Sequence, residues 1–192
     1  MKNLSRRIFI KNSVIGAFSL TGILQVFTSN LTAEEKPLMF INHLIDALRA
    51  TNNPVCEIAA AKLLLLKDNK SSYDLHLRNA NLNNEEIDLI AKAIKTVDVE
   101  GGPSLQSFSM SYSPNLRDHG VLSLVKTLPS TVTEIGLVQC GISDKGGEAL
   151  LVWAAGAPKL HWLCVEKNYF SNKTKEQFIK LGKERNHLLV VV

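Results

Sequence analysis

The feature that most constrains the fold is a spacing of apolar residues that recurs along residues 72–192. The clearest copy consists of Val132, Ile135, Leu137, Cys140, Ile142, Gly146, Leu150 and Ala154. The next copy has identical offsets and consists of Leu160, Leu163, Val165, Asn168, Phe170, Thr174, Phe178 and Gly182. A period of this length indicates stacked structural units, because one such unit cannot bury its own apolar face.

Two further copies and a partial one extend the pattern. One consists of Leu105, Phe108, Met110, Leu116, Gly120, Leu124 and Leu128, with one extra residue in the bend Ser113-Pro114-Asn115. An earlier copy consists of Leu75, Leu77, Ala80, Leu82, Ile87, Ile90 and Ile94, and a last partial copy runs from Leu188 to Val191. The starts at positions 105, 132, 160 and 188 lie 27 or 28 residues apart. Because the first copy is longer, we expect an inserted loop over Thr96–Ser104.

Within each copy the spacing changes from two residues to four, which predicts a strand followed by a helix. The pattern resembles leucine-rich repeats of the ribonuclease-inhibitor type, L-x-x-L-x-L-x-x-N/C-x-L followed by G-x-x-x-L-x-x-x-L. The resemblance implies an α/β fold, a short solenoid with parallel strands on a concave face and helices on a convex face. This sequence departs from the pattern at Ala80 and Ser113, which replace Asn or Cys, and at Glu86 and Thr174, which replace Gly. The alternative is a general α/β domain with parallel strands.

Residues 34–71 are expected to form a helical cap on the end of the stack, which would otherwise expose core residues. The apolar residues Phe40, Ile41, Leu44, Ile45 and Leu48 recur at helical spacing and predict a helix over residues 38–50. Asn53 can cap a second helix with Pro54 at its first position, and this helix would run to about Leu66.

The resemblance also implies where a partner binds, because the side chains between the inward leucines line the concave face. These residues are Asp74, His76, Arg78, Ser107, Ser109, Ser111, Tyr112, Glu134, Gly136, Val138, Trp162, Cys164 and Glu166, with His161 and Lys167 at the strand margins. Trp162 is the most informative, because exposed tryptophans are favoured anchors at interfaces. The alternative is that the C-terminal strand covers Trp162. Trp153 falls on the helical side and is expected to pack in the core.

The N-terminal segment, residues 1–33, has a basic start followed by an apolar run from Ser13 to Phe27, which is the anatomy of a signal peptide. It resembles the bacterial twin-arginine signal at Ser5, Arg6, Arg7, Phe9 and Lys11. The resemblance implies recognition by the twin-arginine translocase and a periplasmic or exported protein. Leu31-Thr32-Ala33 is a poor cleavage site. An uncleaved form anchored in the membrane by this segment and a cytosolic amphipathic helix are therefore alternatives.

Charge and cysteine content exclude several classes of protein. The formal net charge is +4, but removing the four basic residues of the N-terminal segment from the 22 Lys and Arg leaves 18, equal to the 18 Asp and Glu. A nucleic-acid-binding function therefore loses its main support. Cys56, Cys140 and Cys164 are odd in number and widely spaced, which fits neither a disulfide framework nor a zinc site. Cys56 and Cys140 are expected to be buried.

No motif of a phosphate-binding loop, a serine nucleophile elbow, a zinc protease or a dinucleotide site occurs in the sequence. We therefore predict an exported module that binds an unknown protein partner, without catalysis, metal or cofactor. Two alternatives remain: a bacterial effector directed at host cells, and a subunit of an exported redox enzyme. A polar strand face around His76 and a reactive thiol at Cys164 are the only candidates for chemistry.

Overall fold

A computed structural model describes residues 36–66 and 71–192. The predicted signal segment, residues 1–33, lies outside the described residues. Within them the chain forms the helices α1 (Lys36–Ala50), α2 (Pro54–Leu63), α3 (Asn84–Val99), α4 (Arg117–Val125), α5 (Asp144–Ala155) and α6 (Asn172–Glu184). The strands are β1 (Ser72–His76), β2 (Ser104–Ser109), β3 (Glu134–Gly136), β4 (Trp162–Cys164) and β5 (Leu189–Val191).

The five strands form one parallel sheet in chain order, and a helix follows each of the first four strands. The register places Glu134 beside Trp162 and Trp162 beside Leu189. One irregularity lies between Tyr73 and Asp74, where β2 holds an extra residue against β1. The predicted α/β class with parallel strands is thereby confirmed.

The predicted helices before the sheet are present as α1 and α2. The Asn53 side chain accepts a hydrogen bond from the Val55 N–H at 2.9 Å, and Pro54 is the first residue of α2, as expected. The helix ends at Leu63 and not near Leu66, and a turn follows it. Leu64 and Leu65 are 52% and 76% exposed.

One continuous core contains the inward strand residues and the apolar helix residues. The inward positions of every copy are buried, and they include Leu75, Leu77, Leu105, Phe108, Met110, Ile135, Leu137, Leu163 and Val165. The predicted core residues Cys56 and Cys140 are buried as well. Trp153 packs against the core only in part, and its indole N–H donates to the Leu128 carbonyl.

The expectation of an inserted loop over Thr96–Ser104 is wrong. Helix α3 continues through Thr96 to Val99, and β2 begins at Ser104. Val97 extends the apolar face of Ile90 and Ile94 and is buried with them. The extra length of the first copy is therefore an additional helical turn, which ends at Gly101 with a φ of +77°.

Each of the first four strands is followed by a tight turn with the same backbone conformation. The residues Asn79, Tyr112, Gln139 and Lys167 all have φ between 53° and 63°, in the left-handed region. Each one directly precedes the position that resembles the Asn/Cys position of the repeat. The residues that follow them are called the turn positions: Ala80, Ser113, Cys140 and Asn168.

The Asn168 side chain connects two successive turns. Its Oδ1 accepts hydrogen bonds from the N–H groups of Cys140 and Ile142 at 2.9 and 3.1 Å. Its Nδ2 donates to the carbonyls of Leu137 and Val165 at 2.7 and 2.8 Å. Asn168 is the residue at the Asn/Cys position of its copy.

The side chains at the other three turn positions make fewer hydrogen bonds to the backbone of neighbouring turns. The Cys140 thiol donates to the Met110 carbonyl at 3.3 Å. Ala80 has no polar side chain, but its carbonyl accepts a hydrogen bond from Asn53 Nδ2 at 2.7 Å. The Ser113 hydroxyl is buried and is the only buried side-chain N or O atom without a partner in the part of the chain that the structure describes.

A second set of contacts joins the helix N-termini. Asp118 Oδ1 accepts from the N–H groups of Ser143 and Gly146 at 2.8 and 3.1 Å. Asp144 Oδ1 accepts from the Ser171 N–H at 2.8 Å. The Ser171 hydrogen bond lowers the pKa of Asp144. Each carboxylate therefore links its own helix to the start of the next.

Candidate functional site

The face of the sheet opposite the core carries the residues predicted to bind a partner. We call this the open face, and we define it by Asp74, His76, Arg78, Ser107, Ser109, Ser111, Tyr112, Glu134, Gly136, Val138, Trp162, Cys164 and Glu166. All of them except Asp74 line one groove of about 340 Å³. The structure therefore brings the predicted residues together on a single surface.

The parallel register arranges these side chains in rows across the strands. The first row is Asp74, Ser107, Glu134, Trp162 and Leu189, and the second is His76, Ser109, Gly136, Cys164 and Val191. Backbone hydrogen bonds continue the pairing past the strand ends and give a third row of Arg78, Ser111, Val138 and Glu166. Neighbours in a row are about 4.8 Å apart, the usual spacing of strands.

Asp74 lies outside this groove. It is exposed on β1 at the first edge of the sheet, where it lines a separate hollow with Val55, Ile58 and Lys62 of α2. The sequence placed Asp74 correctly on the outward side of β1. It could not show that α2 ends beside this strand and forms a second hollow there.

Two of the serines predicted on this face are nearly buried. Ser111 is only 4% exposed, and its Oγ accepts a hydrogen bond from the Val138 N–H at 3.1 Å. Ser107 is 9% exposed, and its Oγ lies 2.9 Å from His76 Nε2. That Ser111 contacts a partner stays a prediction, and its hydroxyl is already hydrogen-bonded to the neighbouring backbone. Ser109 remains half-buried and donates to Ser111 Oγ.

At the β1 side of the groove a cation lies against an aromatic ring. The Arg78 guanidinium carbon is 5.3 Å from the centroid of the Tyr112 ring. This distance is within the range of a cation–π contact. Arg78 and Tyr112 are thus oriented by each other on the open face, and Val138 lies half-buried two positions away in the third row.

At the β4 side of the groove Trp162 is 42% exposed. It lies between Glu134 and Leu189 in the first row, and pairing with β5 does not cover it. The alternative of a tryptophan covered by the C-terminal strand is therefore excluded. Glu134 Oε1 lies 3.5 Å from His161 Nε2, and both side chains are about half exposed.

Cys164 does not have the surroundings of a reactive thiol. Burial raises the pKa of the Cys164 thiol more than any other cause changes it. The Glu166 backbone N–H lowers this pKa, and the Glu166 carboxylate, whose Oε2 lies 3.7 Å from the Sγ, raises it. The Arg78 charge lowers the pKa to a smaller extent. The thiolate form is therefore disfavoured, and a low pKa is what a nucleophilic cysteine requires.

Metal sites and membrane-spanning helices are two further features that concern the described residues. Residues 36–66 and 71–192 contain no group of three or more His, Cys, Asp or Glu side chains placed to hold a metal ion. In the same residues, no helix combines the length and apolar character needed to cross a membrane.

The sequence analysis missed Leu189 as a member of the first row. Leu189 is 53% exposed and continues the row from Trp162. The signal was present, since Leu189 follows Trp162 by 27 residues, the repeat length itself. The ion pair between His161 and Glu134 was missed too, because it depends on side-chain directions that the spacing does not fix.

Comparison with known proteins gives a fold but no family. No protein-family model matches the chain, and no curated protein matches it either. Among solved structures, the chain is similar to a structure described as leiomodin-1 actin-binding site 2. The TM-score is 0.52 at 20% sequence identity, and the match covers 76% of each chain. At this identity the likeness shows an α/β, leucine-rich-repeat-like fold with parallel strands and nothing about activity.

Proposed function

We propose that this chain is a short leucine-rich-repeat solenoid of the ribonuclease-inhibitor type that binds a protein partner on a concave open face and has no catalytic activity of its own. The observation that carries the proposal is the exposure of Trp162 at the β4 side of a polar groove. A large aromatic side chain with a polar rim is the usual composition of an interface hot spot.

The repeat geometry supports the solenoid. Four turns share one left-handed residue, and Asn168 bonds the backbone of successive turns as the repeat pattern implies. A solved structure of similar fold is described as an actin-binding site, which is a protein-binding role for that structure. The similarity supports a protein partner in general, and at 20% identity it gives no reason to assign actin to this chain.

A binding role also fits the chemistry of the groove better than catalysis. A nucleophile needs an adjacent base, and the base needs a third group that orients it. His76 Nε2 is hydrogen-bonded to the Ser107 hydroxyl, but Ser107 is only 9% exposed. Cys164 has a raised pKa and an acidic neighbour. The open face therefore presents recognition groups without an activated nucleophile.

Site-specific photo-crosslinking in cells that naturally make the protein tests the binding face. A photoreactive residue replaces Val138 in the groove, and the control replaces Val152, which is 78% exposed on α5. We expect a discrete adduct from position 138 only. It should disappear with Trp162→Ala and persist with Tyr169→Ala, an exposed aromatic outside the groove. An adduct that forms equally from position 152, or that survives Trp162→Ala, contradicts the proposal.

We further propose that residues 1–33 direct export to the periplasm through the twin-arginine translocase. The support is the sequence Ser5-Arg6-Arg7 with Phe9 and Lys11 before an apolar run. The test is the intact mass of the protein in periplasmic and membrane fractions, with Arg6→Lys/Arg7→Lys as the control. A shortened periplasmic form that the control lacks is expected. A full-length species in all fractions, insensitive to the arginines, contradicts export.

A further inference from the structure

The charges of the groove are separated between its two sides. Among the residues that line it, Arg78 is basic and Glu134 and Glu166 are acidic. Arg78 lies on the β1 side and already faces the Tyr112 ring. Both carboxylates lie toward the opposite side: Glu134 lies on β3 beside the exposed Trp162, and Glu166 lies two residues after β4, in the third row.

Trp162 and Glu134 are direct neighbours on adjacent strands, so their Cα atoms are about one strand spacing apart and both side chains lie on the open face. Across all described residues, no hydrogen bond joins the Trp162 indole to another part of the protein. Among the described residues, one ionisable side chain lies within 4 Å of the Glu134 carboxylate: His161 Nε2 is 3.5 Å from Glu134 Oε1. An exposed pair of this kind is weak and exchanges readily with another cation.

We propose that Trp162 and Glu134 form a subsite for an arginine side chain of the protein partner. This inference rests on the proposed function and names the chemistry that the open face recognises. A guanidinium stacks on an aromatic ring and at the same time donates two parallel hydrogen bonds to a carboxylate. Trp162 supplies the ring, Glu134 supplies the carboxylate, and the exposed Leu189 borders the aliphatic part of the side chain.

The molecule itself contains a related contact. Arg78 lies over Tyr112 at 5.3 Å on the same face. The partner's arginine would make the equivalent contact with Trp162, with the added carboxylate of Glu134. The excess of carboxylates on this side of the groove favours a basic protein segment and disfavours nucleic acid or an anionic membrane.

The test uses the full chain and three blocked pentapeptides, Gly-Gly-X-Gly-Gly, in which X is arginine, citrulline or glutamate. Citrulline has nearly the shape of arginine without its charge. The readout is the indole N–H signal of Trp162 in proton–nitrogen NMR spectra, assigned with Trp162→Phe. The Trp153 signal serves as an internal reference, since its indole N–H is bonded to Leu128.

We expect the arginine peptide to shift the Trp162 signal with a dissociation constant on the order of 10 mM, as expected for one exposed cation–π contact and one ion pair. Citrulline and glutamate peptides should leave it unchanged. Glu134→Gln should abolish the shift, whereas Glu176→Gln, an exposed acidic residue on α6, should not. His161→Ala should tighten binding about twofold, because it removes the competing partner of Glu134.

Two outcomes overturn this inference. One is an equal shift with citrulline, which would make the subsite uncharged, and the other is no shift with arginine. Neither outcome affects the crosslinking result. If one of them is found and the position 138 adduct is still lost in Trp162→Ala, the proposed function stands and this subsite is rejected. Conversely, an arginine-specific shift together with an adduct that survives Trp162→Ala would retain the subsite chemistry and reject the proposed binding face.

Discussion

The first four strands have equally buried inward residues but unequal turns. At the C-terminal side, the turn positions Cys140 and Asn168 donate to or accept from the backbone of neighbouring turns. At the N-terminal side, Ala80 offers no polar side chain and the Ser113 hydroxyl has no partner among the described residues. The inward leucines Leu77 and Leu137 are nonetheless both 1% exposed or less.

The difference separates two contributions that are usually described together in repeated folds. Apolar burial is set by the spacing of inward residues, and it is uniform from β1 to β4. Hydrogen bonding of the backbone N–H and C=O groups at the turns depends on one side chain per unit, and the number of these hydrogen bonds differs between units. We therefore expect the C-terminal turns to resist local opening more than the N-terminal ones, because local stability follows local hydrogen bonding and packing.

The largest expected effect concerns the core and should be the same in both regions. Leu77→Ala and Leu137→Ala should each lower the free energy of unfolding by about 2–5 kcal/mol, the cost of truncating a buried leucine. Urea denaturation of both variants measures this directly. Exposed Leu65→Ala, at 76% exposure, is the control and should change little. A wild-type midpoint for Leu137→Ala would contradict the inward assignment of that unit.

Asn168→Ala should cost about 2–4 kcal/mol, because it leaves two N–H groups and two carbonyls of the turns without their partner. Hydrogen exchange should show faster opening of the Cys140 and Ile142 amides. Asn172→Ala, which changes an exposed asparagine at the start of α6, is the matched control. Comparable loss in both variants would mean that the four hydrogen bonds contribute no more than an exposed side chain.

Asn53→Ala tests whether the Asn53 side chain stabilises the first turn, which has no polar side chain at Ala80. Asn53 caps α2 through its Oδ1 and donates from Nδ2 to the Ala80 carbonyl. We expect a loss of about 1–2 kcal/mol, the usual range for an N-cap. Asn53→Asp keeps the cap acceptor and removes the donor, so it should lose only part of this. Equal losses would show that the Ala80 contact carries the whole effect.

Much of this fold followed from the spacing of apolar residues. Inward positions such as Ile135 and Leu163 repeat at fixed offsets, and the same offsets place Glu134 and Trp162 on the opposite face, because strand side chains alternate. The cap at Asn53-Pro54 was predictable since its chemistry is local. The additional turn of α3 through Val97 was not, because a Val-Asp-Val run before two glycines fits a loop as well as a helix.

The composition of the site was predicted better than its contacts. Spacing placed Trp162, Glu134 and Arg78 on one face, but it could not show that Arg78 lies against Tyr112 or that His161 pairs with Glu134. It also presented Ser111 as a surface residue. The Ser111 hydroxyl instead accepts from Val138, a bond that depends on the relative height of two turns. The direction of a side chain and the relative position of neighbouring turns depend on tertiary packing, and a periodic sequence pattern does not predict them.

The smallest expected effect has the opposite sign and lies at Ser113. The Ser113 hydroxyl is buried at 1% exposure without a partner, so the folded state bears the cost of its lost hydration. Ser113→Ala should therefore raise the free energy of unfolding by up to about 1 kcal/mol. Ser111→Ala, two residues away, is the matched control. It should lower the free energy by about 1 kcal/mol, since the Val138 N–H loses its acceptor. If both serines proved equally costly to remove, the Ser113 hydroxyl would have a partner after all, and the contrast between the two ends of the sheet would reduce to the single position Ala80.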